Sequence, residues 1–256
     1  MIRIATAGWT IPRGAQDACA GDGSHLVRYA RRLNGVEINS SFYRPHRPAT
    51  YARWAADVPA AFRFAVKLPK AITHEARLVG TEAVLDRFLA EVAHLREKCG
   101  VLLVQLPPSF AFDATVVDAF LATLRARHAG AVACEPRHAS WFERDADRVL
   151  VGHRVTRVAA DPASVPSAAV PGGWLDDLVY FRWHGSPRMY WSAYDDAWLA
   201  ARRLEIEAWS KAGRDVWCVF DNTGAGAALP DALRFEAMHP RSSRRAGRTG
   251  HAASSA

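Results

Sequence analysis

Eight short apolar stretches recur along the chain, and each closes on a polar or charged residue. They are IRIATAG from Ile2, GVEIN from Gly35, FRFAVKLP from Phe62, VLLVQLPP from Val101, AVACEPRH from Ala131, RVTRVAAD from Arg154, LVYFRWHG from Leu178 and DVWCVFDN from Asp215. Short apolar runs rich in β-branched and aromatic residues predict buried strands. Between them the period turns helical. Thr81, as N-cap, opens a segment with Leu85, Phe88, Leu89, Val92 and Leu95 on one face, and Gly100 is expected to end it. Further helices are predicted over 26–33, 50–58, 114–127, 145–151, 198–212 and 229–238.

This alternation predicts an α/β fold, a single (β/α)8 TIM barrel over residues 1–238. The 256 residues match the roughly 250 of such a domain. The stretch PASVPSAAVPGG after Asp161 carries three prolines and no apolar period. It predicts an irregular rim loop, so the barrel is expected to be irregular after its sixth strand.

In a parallel barrel the C-terminal strand ends collect the chemistry. Successive strand residues face opposite ways, so the bulky apolar parity packs under the helices and the other parity points inward. Phe62, Phe64, Val66 and Leu68 take the outer face, which sends Ala65 and Lys67 inward. The same test sends Arg182 and His184, Glu135 and Arg137, Gln105, and Glu37 and Asn39 to the mouth. Asp161, Asp221 and Asn222 are placed only by their position at strand ends. Trp9 and Tyr43 are candidates for stacking surfaces at the rim.

Charge changes the picture little once it is located. The net charge is +7, yet the segment 239–256 holds four arginines and no acid, leaving +3 on the body. That tail is expected to be disordered and to bind nucleic acid weakly. Cysteines 19, 99, 134 and 218 show no paired spacing, which suggests neither a disulfide framework nor a thiolate zinc site and fits reduced thiols in a cytoplasmic location. No run is long enough to span a membrane.

Nucleophile-elbow, phosphate-loop and zinc-helix motifs are absent, and the glycine-rich Thr223 to Ala227 is a weak anion-loop signal. Glu37, Glu135, His138, Asp161, His184 and Asp221 could supply metal ligands, but no spacing enforces it. Lys67, Arg137 and Arg182 would repel a cation, so no metal or other cofactor is expected.

From Gly8-Trp9 through VEINSSFYR, FRFAVKLPKAITH, LLVQLPPSF, EPRHASWF and RWHG to FDNTGAGAA, the chain resembles the YecE-like family, domain of unknown function 72. The resemblance covers nearly everything before the basic tail. It implies a TIM barrel with a site at Glu37, Asn39, Lys67, Gln105, Glu135, Arg137, Arg182, His184 and Asn222, and it supplies no reaction. Thr10, Pro136 and Trp183 depart from the family pattern, and the segment between Trp9 and the first helix is shorter than usual.

The resulting expectation is an enzyme acting on a small anionic, hydroxylated molecule such as a sugar phosphate or sugar acid. Arg137 and Arg182 would clamp the anion, with Asn39, Gln105, Asp221, Asn222, Trp9 and Tyr43 completing the binding surface. Glu135 would be the general base and His184 or Lys67 the acid, with Glu37 tuning Lys67. A lysine of depressed pKa could instead form a Schiff base. Three alternatives remain: a nucleic-acid-binding or repair barrel, a non-catalytic ligand-binding barrel, and a purely structural salt-bridge network.

Overall fold

The structure is a computed structural model that describes residues 1–238. The tail expected to be disordered over 239–256, and the nucleic-acid binding expected of it, lie outside the described residues. Among the described residues ten strands are formed: β1 (Ile2–Thr6), β2 (Gly35–Ile38), β3 (Arg63–Lys67), β4 (Cys99–Gln105), β5 (Ala131–Glu135), β6 (Thr156–Arg157), β7 (Ala159–Asp161), β8 (Gly172–Gly173), β9 (Leu178–Trp183) and β10 (Asp215–Phe220). The α-helices are α1 (His25–Ala30), α2 (Ser40–Tyr43), α3 (Pro48–Asp57), α4 (Glu82–Val92), α5 (Ala114–Arg125), α6 (Arg144–Gly152), α7 (Asp196–Lys211) and α8 (Ala228–Ala237).

The strands form two sheets in the orders β1-β10-β9-β7 and β2-β3-β4-β5-β6-β8, parallel except where β8 runs against β6. On one side the sheets meet through a parallel bridge from Ala7 to Glu37, where the Gly8 amide donates to the Glu37 carbonyl at 2.8 Å. On the other side only Val158 separates β6 from β7. The stretch RVTRVAAD, expected as one strand, is therefore split: its first half pairs with β5 and its second with β9. After Asp161 the chain is irregular as expected, with one short helical turn at Pro166–Ala169 before β8.

Two apolar layers follow from strand alternation. Phe64, Val66, Leu102, Val104, Val179 and Phe181 pack outward against helix faces such as Leu85, Phe88 and Val92 of α4. Each such side chain, fully buried, contributes roughly 1.5–3 kcal/mol. Ala5, Ala65, Leu103, Ala133, Tyr180, Trp217 and Val219 form a separate inner cluster drawn from both sheets. Its alanines make room for Trp217 and Tyr180, whose rings stack 5.9 Å apart.

Gly100 does not end a helix. α4 stops at Val92, a short turn of helix covers Ala93–Lys98, and Gly100 lies inside β4. A Cβ on Gly100 would stand 2.8 Å from the Trp217 ring, so this glycine is a packing requirement of the inner layer.

Among the described residues no helix is long and apolar enough to cross a membrane.

Candidate functional site

The inner rows continue upward into charge. Two residues beyond the inner Ala65, Leu103, Ala133, Tyr180 and Val219 stand Lys67, Gln105, Glu135, Arg182 and Asp221. Glu37, one residue before the end of β2, does the same. Six strands thus deliver polar side chains to one end; alternation predicts this for all but Asp221, which is expected there from its strand-end position alone.

Arg182 is the centre of the cluster and is 1% exposed. Its Nη2 donates to Glu37 Oε1 at 2.8 Å and to Asp221 Oδ2 at 2.9 Å, its Nε to Glu37 Oε2 at 3.1 Å, and its Nη1 to Glu135 Oε2. Every nitrogen of the guanidinium is engaged. Tyr180 donates its hydroxyl to Glu37 Oε2 at 2.8 Å. This tyrosine was not among the sequence candidates, although it shares the parity of Arg182 two residues before it.

His184, fully buried, bridges two of these acids. Its Nε2 lies 2.8 Å from Glu135 Oε1 and its Nδ1 lies 3.0 Å from Asp221 Oδ2. Arg137 donates from Nη2 to Glu135 Oε1 at 3.0 Å. Its Nη1 has weaker partners, the Met189 sulfur at 3.7 Å and the Tyr190 hydroxyl at 3.3 Å, and its Nε is buried with no hydrogen-bond partner. A buried donor left unpaired is costly unless something arrives to fill it.

Burial pushes the carboxyl groups of Glu135 and Asp221 upward. Arg182 with Arg137 and His184 overcomes this for Glu135, and Arg182 with His184 and Lys67 for Asp221, so both are held below the usual range.

Lys67 is the exception. It is half-buried, and among the described residues its Nζ has no hydrogen bond or ion-pair partner. The ammonium sits 4.1 Å over the Phe42 ring. Burial, followed by the Arg182 charge, outweighs the attraction of Glu37, Glu135 and Asp221 and lowers its pKa to about 8. His74 packs edge-on against the same Phe42 ring at 4.8 Å, and burial, Lys67 and Arg137 lower its pKa too.

The remaining candidates do not join this network. Gln105 donates to the Leu106 carbonyl at 2.8 Å. Asn222 donates to the Ser192 carbonyl and to Asp231, tying the end of β10 to α8. Its Oδ1, like that of Asn39 at the start of α2, is buried without a partner. Trp9 packs edge-on against Trp54 at 4.9 Å, whereas Tyr43 is 73% exposed. Asp161 accepts a hydrogen bond from the Tyr194 hydroxyl at 2.8 Å. Among the described residues no group of three or more His, Cys, Asp or Glu is arranged to hold a metal ion.

A family model described as "Protein of unknown function DUF72" matches residues 3–253. The chain is 29% identical over 174 residues to the UPF0759 protein YecE of Escherichia coli K12, covering 66% of this chain and 62% of that protein. It is 26% identical over 268 residues to the UPF0759 protein YunF of Bacillus subtilis, covering 92% of this chain and 93% of that protein. A DUF72 family crystal structure from Enterococcus faecalis superposes with a TM-score of 0.77 at 24% identity, over 93% of this chain and 94% of the other. One from Thermotoga maritima gives 0.75 at 23% identity, over 93% and 98%.

Proposed function

The chain belongs to the DUF72 family of proteins of unknown function, and from that starting point we propose that it is an enzyme for a small anionic, hydroxylated substrate, a sugar phosphate or sugar acid. We take the two sheets as one (β/α)8 barrel, closed through Ala7 and Glu37 on one side and past Val158 on the other, with its chemistry at the C-terminal mouth. One observation carries the proposal: a lysine is left without a partner beside a buried cluster in which every other ionised group is paired.

Roles follow from which donors are free. Arg182 has every nitrogen committed to carboxylates, so it is the internal cation that holds Glu37, Glu135 and Asp221 in place. Arg137 is the anion anchor instead. Its Nη1 can exchange a thioether and a long phenol contact for a charged oxygen, which makes shorter and stronger bonds. Glu135 accepts from the guanidinium groups of Arg182 and Arg137 and contacts the His184 ring, which makes it a poor proton acceptor, so its part is to orient Arg137 and His184. Lys67 is the group that changes protonation near neutral pH.

A salt-bridge network serving stability alone would be expected to pair or omit this lysine, because an unpaired buried charge is a net cost.

Glycerol 3-phosphate and ribose 5-phosphate are expected to raise the melting temperature, while glycerol and ribose leave it unchanged. A ligand at a hundredfold excess over its Kd contributes about 2.7 kcal/mol. Arg137→Lys keeps the charge and loses the planar fork, so the shift should fall clearly in that variant. Equal shifts for phosphorylated and neutral compounds, measured at near-physiological salt with residues after Met238 removed, would overturn the anion reading.

A further inference from the structure

We propose that Lys67 is an amine nucleophile that forms an imine with the carbonyl carbon of an anionic aldehyde or ketone held against Arg137. The inference rests on the reading of the mouth as an anion-binding site and adds the substrate's reactive group to it.

The chain has four lysines among its 33 lysines and arginines, at positions 67, 70, 98 and 211. Three of them have ordinary tasks. Lys98 is buried and donates to the Ala55 and Val58 carbonyls at 2.6 Å, closing the C-terminus of α3. Lys70 pairs with Glu75 at 2.9 Å on the surface, and Lys211 is exposed in the last turn of α7. In a protein that otherwise uses arginine for most of its positive charges, Lys67 is, among the described residues, the lysine that is withdrawn from solvent and yet has no polar partner. Arginine never loses its proton in a protein, whereas an amine does.

The surroundings suit that use. The Phe42 ring covers one side of the ammonium, which strips water from it. Arg182 holds a fixed positive charge nearby while each of its nitrogens already donates to a carboxylate, so it opposes protonation of Lys67 from a position committed to the acids. Arg137, which also bonds Glu135, would hold the substrate's anionic group.

The step balances without any oxidant or reductant. Lys67 gives one proton to solvent, and its lone pair attacks the carbonyl carbon. The C=O π pair moves to oxygen, which takes up a proton while the nitrogen releases its second one to solvent, giving a neutral carbinolamine. The nitrogen lone pair then expels that oxygen, protonated once more, as water. Overall, ammonium and carbonyl become a protonated imine and one water.

Incubation with glyoxylate, the probe anion, in the presence of cyanoborohydride should convert Lys67 to carboxymethyl-lysine. Peptide mapping reads all four lysines in one digest. Lys67 is expected to label roughly tenfold faster than Lys70 and Lys211 at neutral pH, since a lower pKa exposes more free amine. Its rate should climb as pH rises through about 8 and then level off. Labelling of Lys67 no faster than Lys70 and Lys211 overturns the nucleophile, even if phosphorylated sugars still stabilise the protein. Selective labelling that is equally fast with neutral glycolaldehyde, and unchanged in Arg137→Gln, keeps the nucleophile and removes the anion reading beneath it.

Discussion

Arg182→Met is expected to lose about 3–5 kcal/mol of stability at neutral pH, the general scale for removing one partner of a buried ion pair. Here one guanidinium serves Glu37, Glu135 and Asp221 at once, and all four side chains are almost fully enclosed. Methionine fills much of the volume, so the loss reports charge and not a cavity. The pH dependence has a definite sign. In the parent, Glu135 and Asp221 have depressed pKa values, so their contribution is present above the unfolded pKa of about 4 and is lost as pH falls below it. Without Arg182 the carboxylates lose their principal cation and bind protons more readily, so the deficit of the variant should shrink between pH 7 and pH 5. Urea titrations of both proteins across that range measure it. A constant deficit, or none, would mean that Arg182 does not hold the acids.

Lys67→Met should do the reverse. It is expected to abolish turnover of any substrate identified for the mouth while making the protein more stable at neutral pH. A lysine whose pKa falls to about 8 from its ordinary value of about 10.4 is charged in the folded state at a cost. Each unit is about 1.4 kcal/mol, and allowing for the partial exposure of the side chain the gain should be about 1–3 kcal/mol. The cost is complete below pH 8 and vanishes as pH rises past the unfolded pKa, so the stability advantage should fade between about pH 8 and pH 10.5. Opposite changes in activity and stability from one substitution are the mark of a group kept for function. A variant that is both inactive and destabilised would make Lys67 a structural member of the network.

Much of this arrangement is legible in the sequence because strand alternation is a strict rule. Phe64 and Val66 go outward only if Lys67 goes inward, and the same logic carries Glu135 and Arg182 to the same charged cluster. The division of labour inside the cluster is not legible. Arg137 and Arg182 are equivalent as letters, yet the backbone of β9 buries Arg182 among three acids while Arg137, just past β5, keeps looser partners. Glu135 looks like a general base until two guanidinium groups and the His184 ring are found on its two oxygens. Gly100 reads as a helix stop by local rules, whereas its cause is Trp217, more than a hundred residues away. Asn222 stands at a strand end but is drawn off by Asp231 of α8, a contact no local pattern announces. Partner choice depends on packing between distant segments, and a single chain read in order carries only its own side of it.

Heavy-nitrogen labelling of the lysine Nζ positions gives the most direct access to the candidate site. With four lysines in the chain, the spectrum is sparse, and the signal missing from Lys67→Met identifies that side chain. The Lys67 resonance is expected to titrate with a midpoint of about 8 and to move to higher pH when glycerol 3-phosphate is added, because a bound anion favours the ammonium. A midpoint near the ordinary lysine value of about 10.4, indifferent to the phosphate ester, would contradict the assignment of Lys67 as the reactive group of an anion-binding site and leave the cluster as a structural network of charges.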